Sequence, residues 1–203
     1  MKIGTIGAGT VATAFARQAL TAGHQVVLSN SRGPASLQQL VTELGRGASA
    51  GTREEAAAAE MVLLAVPWPV VPRALDALTA WDGRILIDAT NQFASLAPVV
   101  IDDLGDTTGS EFVAELAPGA RVVKAFNTLF AEYIAVPRRA AGRVVLFHAG
   151  DDVAAKATVA SLADRFGFAP LDVGGLRSGG QLMQLGGSLS AQHLLHPEPL
   201  ERL

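Results

Sequence analysis

A glycine-rich turn close to the N-terminus constrains the fold more than any other feature of the sequence. The β-branched run Lys2–Ile6 is followed by Gly7-Ala8-Gly9 and then by apolar residues at helical spacing from Val11 to Leu20. This order predicts a strand that turns tightly into a helix. Gly23 is expected to end the helix, and Gln25–Leu28 predicts a second strand that completes a βαβ unit.

Apolar strands and helices continue to alternate along the chain. The predicted strands are Met61–Val66, Ile85–Asp88, Val122–Ala125 and Val144–His148, and the predicted helices are Leu37–Leu44, Glu54–Ala59 and Asp151–Phe166. Strands without polar positions that alternate with helices are typical of a parallel sheet covered on both faces. We therefore expect an α/β fold with a doubly wound, Rossmann-type, mostly parallel sheet, extra C-terminal strands and a C-terminal glycine-rich helical segment.

Composition excludes several classes of protein. Hydrophobic residues make up 49% of the chain and charged residues only 17%, so a disordered chain is excluded. The 16 basic and 19 acidic residues leave a net charge of -3, which gives no general attraction for nucleic acid. The chain has no cysteine, and this suits a cytoplasmic location.

Two apolar segments could suggest a membrane or export. The run Met61–Pro72 contains three prolines and is too short to span a bilayer, so we expect no membrane partner. Lys2 precedes a long uncharged stretch, and Ala14-Phe15-Ala16 imitates a signal-peptidase site. A signal peptide is thus an alternative, although the glycine turn favours a strand, a turn and a helix.

The glycine turn reads Gly7-Ala8-Gly9-Thr10-Val11-Ala12, which is the G-x-G-x-x-A pattern of dinucleotide-binding sites. Gly7 would permit the tight turn, and Gly9 would let the backbone approach a pyrophosphate. Thr10 and Val11 would place free N–H groups at the positive end of the helix dipole. We therefore expect a cofactor site at Gly7, Ala8, Gly9, Thr10 and Val11, with a purely structural glycine turn as the alternative.

The end of the second predicted strand indicates which cofactor binds. An NAD site usually places Asp or Glu about 20 residues after the glycines, but the first acidic residue of this chain is Glu43. Ser29-Asn30-Ser31-Arg32 stands at the expected place. We expect these four residues to meet the 2′-phosphate of NADP(H), with Arg32 as the cation and Ser31 as a hydroxyl donor. The alternative is that they are ordinary turn residues.

Residues just past the later strands are candidates for the nicotinamide end, because ligands of such sheets lie at the carboxyl ends of the strands. We expect Val66, Pro67 and Trp68 to line this end, and Asn91 and Asn127 to bond the carboxamide or ribose. Each has an ordinary role in turns or helix caps as its alternative.

The C-terminal segment is apolar and rich in glycine. The segment from Gly174 to His196 predicts a glycine-interrupted helix that crosses the carboxyl edge of the sheet or contacts a second subunit. Leu182–Leu189, with Met183, is a candidate for part of an acceptor pocket, because glycine lets a flat ring lie against backbone. A plain packing helix is the alternative. The segment has few charges, so a homodimer that buries it is expected.

No side chain is assigned a catalytic role. Hydride transfer between cofactors needs placement and exclusion of water rather than an acid and a base. Lys124 is an alternative general acid. No metal site is expected, because His148, His193 and His196 lack a further ligand at a suitable spacing.

Several short motifs occur in one order along essentially the whole chain. They are GAGTVA, SNSRGP, AVPW, DATN, VKAFNT, FHAGDD and DVGGLRSGG. This set resembles bacterial members of the NADP oxidoreductase family that depends on the deazaflavin coenzyme F-420. The resemblance implies NADP bound through Thr10, Ser31 and Arg32, and hydride exchange between NADPH and the deazaflavin ring. A flavin, a small carbonyl or imine compound, and an NADP-sensing role without turnover remain alternatives.

Residues 1–203 are expected to form a single NAD(P)-binding Rossmann domain, because no linker or repeat divides the chain. Residues 1–125 would hold the dinucleotide. Residues 126–203 would add the acceptor site or the dimer contacts.

Overall fold

The architecture was analysed in a computed structural model that describes residues 1–78 and 80–197. The strands are β1 (Lys2–Ile6), β2 (Gln25–Ser29), β3 (Ala48–Ala50), β4 (Met61–Leu64), β5 (Ile85–Asp88), β6 (Phe93–Leu96), β7 (Val99–Ile101), β8 (Arg121–Ala125), β9 (Arg138–Arg139), β10 (Gly142–Gly150), β11 (Ala169–Asp172) and β12 (Leu195–His196). The α-helices are α1 (Thr10–Thr21), α2 (Gln38–Leu44), α3 (Arg53–Ala57), α4 (Val71–Leu75), α5 (Gly109–Leu116), α6 (Ala131–Ala135), α7 (Val153–Phe166) and α8 (Ser178–Met183). Short 3-10 helices span Pro34–Leu37 and Trp68–Val70.

The main sheet confirms the predicted doubly wound fold. Its strand order is β11-β10-β8-β5-β4-β1-β2-β3. The six neighbouring strands β8, β5, β4, β1, β2 and β3 are parallel. Their order is that of a Rossmann sheet, in which the strand order, but not the strand direction, reverses between β1 and β4. The extra strand β10 runs antiparallel to β8 and carries β11 at the sheet edge. The carboxyl ends of β1, β2, β4, β5 and β8 therefore lie along one edge.

Each face of the sheet has its own apolar cluster. Alternate residues of β4 show the division, because Met61 and Leu63 pack under α1 and α7, whereas Val62 and Leu64 pack under α4 and α5. All four side chains are buried. Burial on both faces explains why this strand has no polar position, as is typical of a parallel sheet.

Several parts of the fold differ from the sequence prediction, which did not include α4, α5, α6 or β11. The strand β3 was not predicted, because Ala48-Ser49-Ala50 has no β-branched residue. The β6–β7 hairpin was also missed, since its strands are short and Pro98 lies between them. The predicted C-terminal helix is shorter than expected: α8 ends at Met183, and the chain turns at Gly186, whose φ is +84°.

Within the described ranges, the helices are all too short or too polar to cross a lipid bilayer.

Candidate functional site

The turn after β1 can be made only by glycine. Gly7 has a φ of +109°, and its N–H donates to the carbonyl oxygen of Ser29, 3.1 Å away. A Cβ atom at Gly7 would lie 2.1 Å from the carbonyl oxygen of Ala65, which directly follows the neighbouring strand β4. The turn therefore brings the backbones of β1, β2 and β4 close together where the strand order reverses.

The first turn of α1 is open to a ligand. A Cβ atom placed on Gly9 would meet no atom within 4 Å, so the space beside its Cα atom is open. No side chain caps this helix, and its first turn contains no acidic residue. The first N–H groups of a helix lack partners within the helix and carry a partial positive charge. The chain thus presents backbone donors to a group that can approach Gly9 closely.

A cleft with a volume of about 860 Å³ lies beside this turn. Its walls come from the ends of β1, β2 and β4 and from the starts of α3 and α4. The lining residues are Ile6, Gly7, Ala8, Gly9, Ser29, Asn30, Ser31, Arg32, Gly33, Pro34, Thr52, Arg53, Glu54, Ala65, Val66, Pro67, Val70, Arg73, Ala74 and Asp76. Nine of the predicted cofactor residues are in this set, whereas Thr10 and Val11 begin α1 immediately beyond Gly9.

The loop after β2 is held by its own side chains. The Asn30 Oδ1 atom accepts a hydrogen bond from the Arg32 N–H at 3.0 Å, and the Asn30 Nδ2 atom donates to the Ser36 hydroxyl oxygen at 2.9 Å. Ser36 also donates to the carbonyl oxygen of Gly33 at 2.7 Å. Ser31 and Arg32 are exposed, and neither side chain has a hydrogen-bond or ion-pair partner among the described residues. The loop is therefore fixed while its guanidinium and one hydroxyl stay available.

Ser29 differs from its neighbours in this loop. Its side chain is 1% exposed, and its hydroxyl donates to the carbonyl oxygen of Thr5 at 2.8 Å. The Thr5 hydroxyl in turn donates to the carbonyl oxygen of Gly7 at 2.9 Å. The structure therefore uses the Ser29 hydroxyl to join β1 and β2 beneath the glycine turn, a role that the sequence did not indicate.

The outer wall of the cleft carries charges that the sequence analysis missed. Glu54 and Asp76 line it, so the cleft has carboxylates even though the end of β2 has none. Glu54 pairs with Arg53 at 3.0 Å, and Arg53 Nη1 donates to the carbonyl oxygen of Arg73 at 2.6 Å. The hydrogen bond from the backbone N–H of Glu54 has the largest effect in lowering the pKa of the Glu54 carboxyl. Side-chain hydrogen bonds from Arg53 and Thr52 lower this pKa further. These residues come from α3 and α4, and only the tertiary fold brings them together.

Val66 and Pro67 line the inner end of the cleft, but Trp68 does not. The Trp68 side chain is 5% exposed and packs in the apolar cluster under α4 and α5. Its Nε1 atom donates to Asp102 Oδ2 at 2.8 Å, and its ring centroid lies 5.4 Å from that of Phe112. The Trp68 ring therefore anchors the loop after β4 to the base of the β6–β7 hairpin instead of facing the cleft.

Asn91 and Asn127 follow β5 and β8 and bond to each other. Asn91 Nδ2 donates to the Asn127 carbonyl oxygen at 2.8 Å, and Asn127 Nδ2 donates to Asn91 Oδ1 at 3.1 Å. Asn127 Nδ2 also donates to the Met183 carbonyl oxygen at 2.8 Å. The end of α8 thus lies over the carboxyl edge of the sheet, as the sequence predicted. Gln92 Nε2 supports this contact by donating to Gln184 Oε1 at 2.8 Å.

Lys124 is not placed to act as a general acid. Its side chain is 2% exposed, and its Nζ atom donates to Asp88 Oδ2 at 2.9 Å and to the Thr90 carbonyl oxygen at 2.6 Å. Burial acts to raise the pKa of Asp88, but Lys124 and the hydrogen bonds from Thr90 and Ser110 outweigh it and lower the pKa. The pair is therefore an ion pair beneath the site and not a proton donor that a substrate can reach.

The histidines are dispersed. His148 is buried in β10, and its imidazole pKa is lowered mainly by burial, with Asp172 acting in the opposite sense. His193 stacks on Tyr133 with ring centroids 4.0 Å apart, and His196 lies in β12. Across residues 1–78 and 80–197, no three His, Asp or Glu side chains are grouped so that they could hold a metal ion.

Comparison with known proteins agrees with this geometry. Residues 2–92 match the family model described as NADP oxidoreductase, coenzyme F-420-dependent. The metalloreductase STEAP3 of Rattus norvegicus is 32% identical over 179 residues, which are 87% of this chain and 34% of that protein. The chain thus spans about a third of the length of that relative.

Two solved structures share most of their length with this chain. A hypothetical protein, SMa0349 from Sinorhizobium meliloti, is 38% identical with a TM-score of 0.90, covering 97% of this chain and 96% of its own. A proposed F-420-dependent NADP reductase from an Arthrobacter species is 30% identical with a TM-score of 0.77, covering 87% of this chain and 86% of its own. Together with the family model and the cleft, these similarities show that the chain belongs to the family of coenzyme F-420-dependent NADP oxidoreductases.

Proposed function

We propose that this protein binds NADP(H) in the cleft and transfers hydride between the nicotinamide and a planar acceptor, the deazaflavin coenzyme F-420. The observation that carries the cofactor assignment is the loop after β2, where Ser31 and Arg32 are exposed and no carboxylate follows the strand. The family supports the deazaflavin as acceptor, since its model and one similar structure carry that name.

The phosphates would bind at two places in the cleft. The backbone of Gly7, Ala8 and Gly9, with the N–H groups of Thr10 and Val11, would hold the pyrophosphate at the start of α1. The side chains of Ser31 and Arg32, ordered by Asn30, would hold the 2′-phosphate. Hydrogen bonds to charged groups contribute about 1.5 to 3 kcal/mol each, so Arg32 would supply a large share of the preference for NADP over NAD.

The nicotinamide half would lie toward Val66, Pro67, Asn91 and Asn127, at the carboxyl ends of the next three strands. When bound, the nicotinamide ring supplies or accepts the hydride. The protein would orient the ring and exclude water, because hydride transfer depends on the distance and alignment of the two reacting carbons. We therefore assign no acid or base among the side chains.

The acceptor would stack on the exposed face of the nicotinamide, beneath the segment that follows α8. Met183 is buried there, and its carbonyl oxygen already contacts Asn127. Gly186 lies in the turn beyond it with open space where a side chain would stand, whereas Gly187 packs against the carbonyl oxygens of Gln181 and Leu182. This segment would form one wall of the acceptor pocket.

We also propose that the whole chain acts as one unit, with residues 1–125 holding the dinucleotide and residues 126–203 adding acceptor and dimer contacts. A homodimer in the cytoplasm would suit the exposed apolar side chains of Leu182 and Leu194 and the absence of cysteine. Light scattering at micromolar concentration tests the dimer, and a monomer would contradict it.

The decisive experiment is NADPH oxidation by the purified protein, followed by absorbance, with F-420, FMN, FAD and a cyclic imine offered separately. Turnover with F-420 at a rate well above that of the others supports the proposal. Turnover with a flavin or the imine alone would replace the acceptor, and binding of NADPH without turnover of any acceptor would favour a sensing role. NADH serves as the control for the cofactor and should support much slower turnover.

A further inference from the structure

A buried ion pair lies directly beneath the two asparagines. Asp88 ends β5, and Lys124 is its register partner on β8. The Asp88 side chain is 0% exposed and that of Lys124 is 2% exposed, with Nζ and Oδ2 2.9 Å apart. The ion pair of Lys156 and Asp172, at 2.8 Å, has side chains that are 13% and 49% exposed. Burying charges is costly, so the first pair needs an explanation beyond its mutual attraction.

The ion pair forms hydrogen bonds with all three polar groups of Thr90, which are its N–H, its hydroxyl and its carbonyl oxygen. Asp88 Oδ1 accepts from the Thr90 N–H at 2.9 Å and from the Thr90 hydroxyl at 2.6 Å. Lys124 Nζ donates to the Thr90 carbonyl oxygen at 2.6 Å. The remaining carboxylate oxygen also accepts from the Ser110 hydroxyl at 2.7 Å, which joins the start of α5 to the network. The backbone of Thr90 is thereby fixed against both strands.

Thr90 is next to the residues of the proposed nicotinamide site. Thr90 precedes Asn91, and Lys124 lies three positions before Asn127 on β8. Asn91 and Asn127 then bond to each other, and Asn127 also bonds to Met183. Asp88 is therefore the last residue before one of the two loops at the proposed nicotinamide end, and Lys124 is the second-last residue before the other. A pair of apolar residues could fill the same volume, but it would give the Thr90 peptide no partners.

We infer that Asp88 and Lys124 are positioning residues, which hold the loops of Asn91 and Asn127 so that the nicotinamide half of the cofactor is oriented. This inference rests on the proposed function, because it assumes that NADP(H) occupies the cleft. The pair contacts neither cofactor nor acceptor and acts only through Thr90 and the loops.

Four altered proteins test the inference. The double variant Asp88→Asn with Lys124→Met removes both charges together and so leaves no buried charge unpaired. Thr90→Val removes one hydroxyl at nearly constant volume, and Thr90→Ser keeps that hydroxyl as the conservative variant. The matched control, Asp172→Asn with Lys156→Met, makes the same chemical change in the more exposed ion pair. If the Asp88 double variant does not fold, the comparison of Thr90→Val with Thr90→Ser tests the inference.

Two measurements separate orientation from general stability. The first is the Kd of NADPH and of 2′,5′-ADP, a probe that has the 2′-phosphate but no nicotinamide. The second is amide hydrogen exchange in residues 88–92 and 126–129, which needs neither cofactor nor acceptor. We expect the Kd of NADPH to rise by about tenfold in Asp88→Asn with Lys124→Met and by less in Thr90→Val, with that of 2′,5′-ADP unchanged to within about twofold. Exchange should become faster in both segments but not in α1.

Thr90→Ser and the control pair should behave like the parent protein. The inference is overturned if the Asp88 double variant and Thr90→Val bind NADPH and 2′,5′-ADP more weakly by the same factor. It is also overturned if neither the ratio of the two Kd values nor the amide exchange of the two segments changes. A parent protein that binds NADPH normally while the variants show no change in ratio refutes only this inference. A parent protein that binds neither ligand refutes the proposed function, and this inference with it.

Discussion

Asn91 and Asn127 form a reciprocal pair, in which each side-chain amide donates a hydrogen bond to the other residue. The pair joins the loops after β5 and β8, and Asn127 extends it to the end of α8 through the Met183 carbonyl oxygen. Strand ends that are adjacent in the sheet but distant in sequence are thus fixed relative to each other, and the C-terminal segment is fixed to both.

Replacing Asn127 with leucine tests this connection. The change keeps the volume but leaves Met183 O and Asn91 Oδ1 without their donor, so we expect a loss of about 2 kcal/mol in the free energy of unfolding. Urea denaturation measures it. Gln181→Leu is the control, because Gln181 is an exposed residue of α8, the helix that ends at Met183. This substitution should change the stability little. Equal stabilities of the two variants would contradict the connecting role.

Arg32→Ala tests the assignment of the cofactor. We expect the affinity for NADPH to fall by about 10- to 100-fold, while the affinity for NADH changes little, because only the 2′-phosphate would lose its charged partner. Calorimetric titration with both cofactors gives the ratio. Arg46→Ala removes another exposed guanidinium, from the turn between α2 and β3, and should leave the ratio unchanged. An unaltered NADPH to NADH ratio in Arg32→Ala would refute the assignment.

Much of the cofactor half of the molecule could be predicted because its signals are local. The strand β1, the turn at Gly7 and the helix α1 follow each other within the first part of the chain, and each has its own residue pattern. The family resemblance used these segments together with short motifs along the rest of the chain. Local patterns also placed Asn91 and Asn127 at strand ends, but not in contact with each other.

The remaining features depend on tertiary contacts that no local pattern encodes. Trp68 was expected to face the cofactor, but a side chain after a strand can turn to either side, and here Asp102 and Phe112 hold it in the core. Arg53 reaches the cleft only because α3 packs beside the start of α4. The role of Ser29 likewise depends on its alignment with Thr5 on the neighbouring strand.

The two glycines of the turn should respond differently to alanine. Gly7→Ala places a Cβ atom 2.1 Å from the Ala65 carbonyl oxygen at a positive φ, so a loss of at least about 2 kcal/mol in stability is expected. Gly9 has a φ of -79° and open space, so Gly9→Ala should keep the stability within about 1 kcal/mol of the parent. Its methyl group would instead occupy the space over α1 and raise the Kd of NADPH by about tenfold, or about 1.4 kcal/mol. Thermal unfolding and titration distinguish the two effects, and a folded Gly7→Ala with full stability would contradict the close contact.

The ion pair of Asp88 and Lys124 should show strong coupling in stability. Asp88→Asn or Lys124→Met alone leaves one charge buried without its partner, which is expected to cost about 3 to 5 kcal/mol. The double variant should cost clearly less than the sum of the two, because it buries no charge. Urea denaturation of the four proteins completes the cycle. A double variant as unstable as the sum of the single changes would mean that the two residues do not interact.

The buried histidine of β10 should make the stability depend on pH. Burial lowers the pKa of His148 below the value of about 6.5 expected in the unfolded chain, and Lys156 adds to this effect while Asp172 opposes it. The unfolded state therefore binds more protons below about pH 6.5, so stability is complete above that pH and is lost as the pH falls toward the folded-state pKa. His148→Gln should remove part of this slope, which for one proton is at most about 1.4 kcal/mol per pH unit. Urea denaturation at a series of pH values measures it. Above about pH 7 the two stability curves should run parallel, and identical slopes at lower pH would show that His148 does not titrate on unfolding.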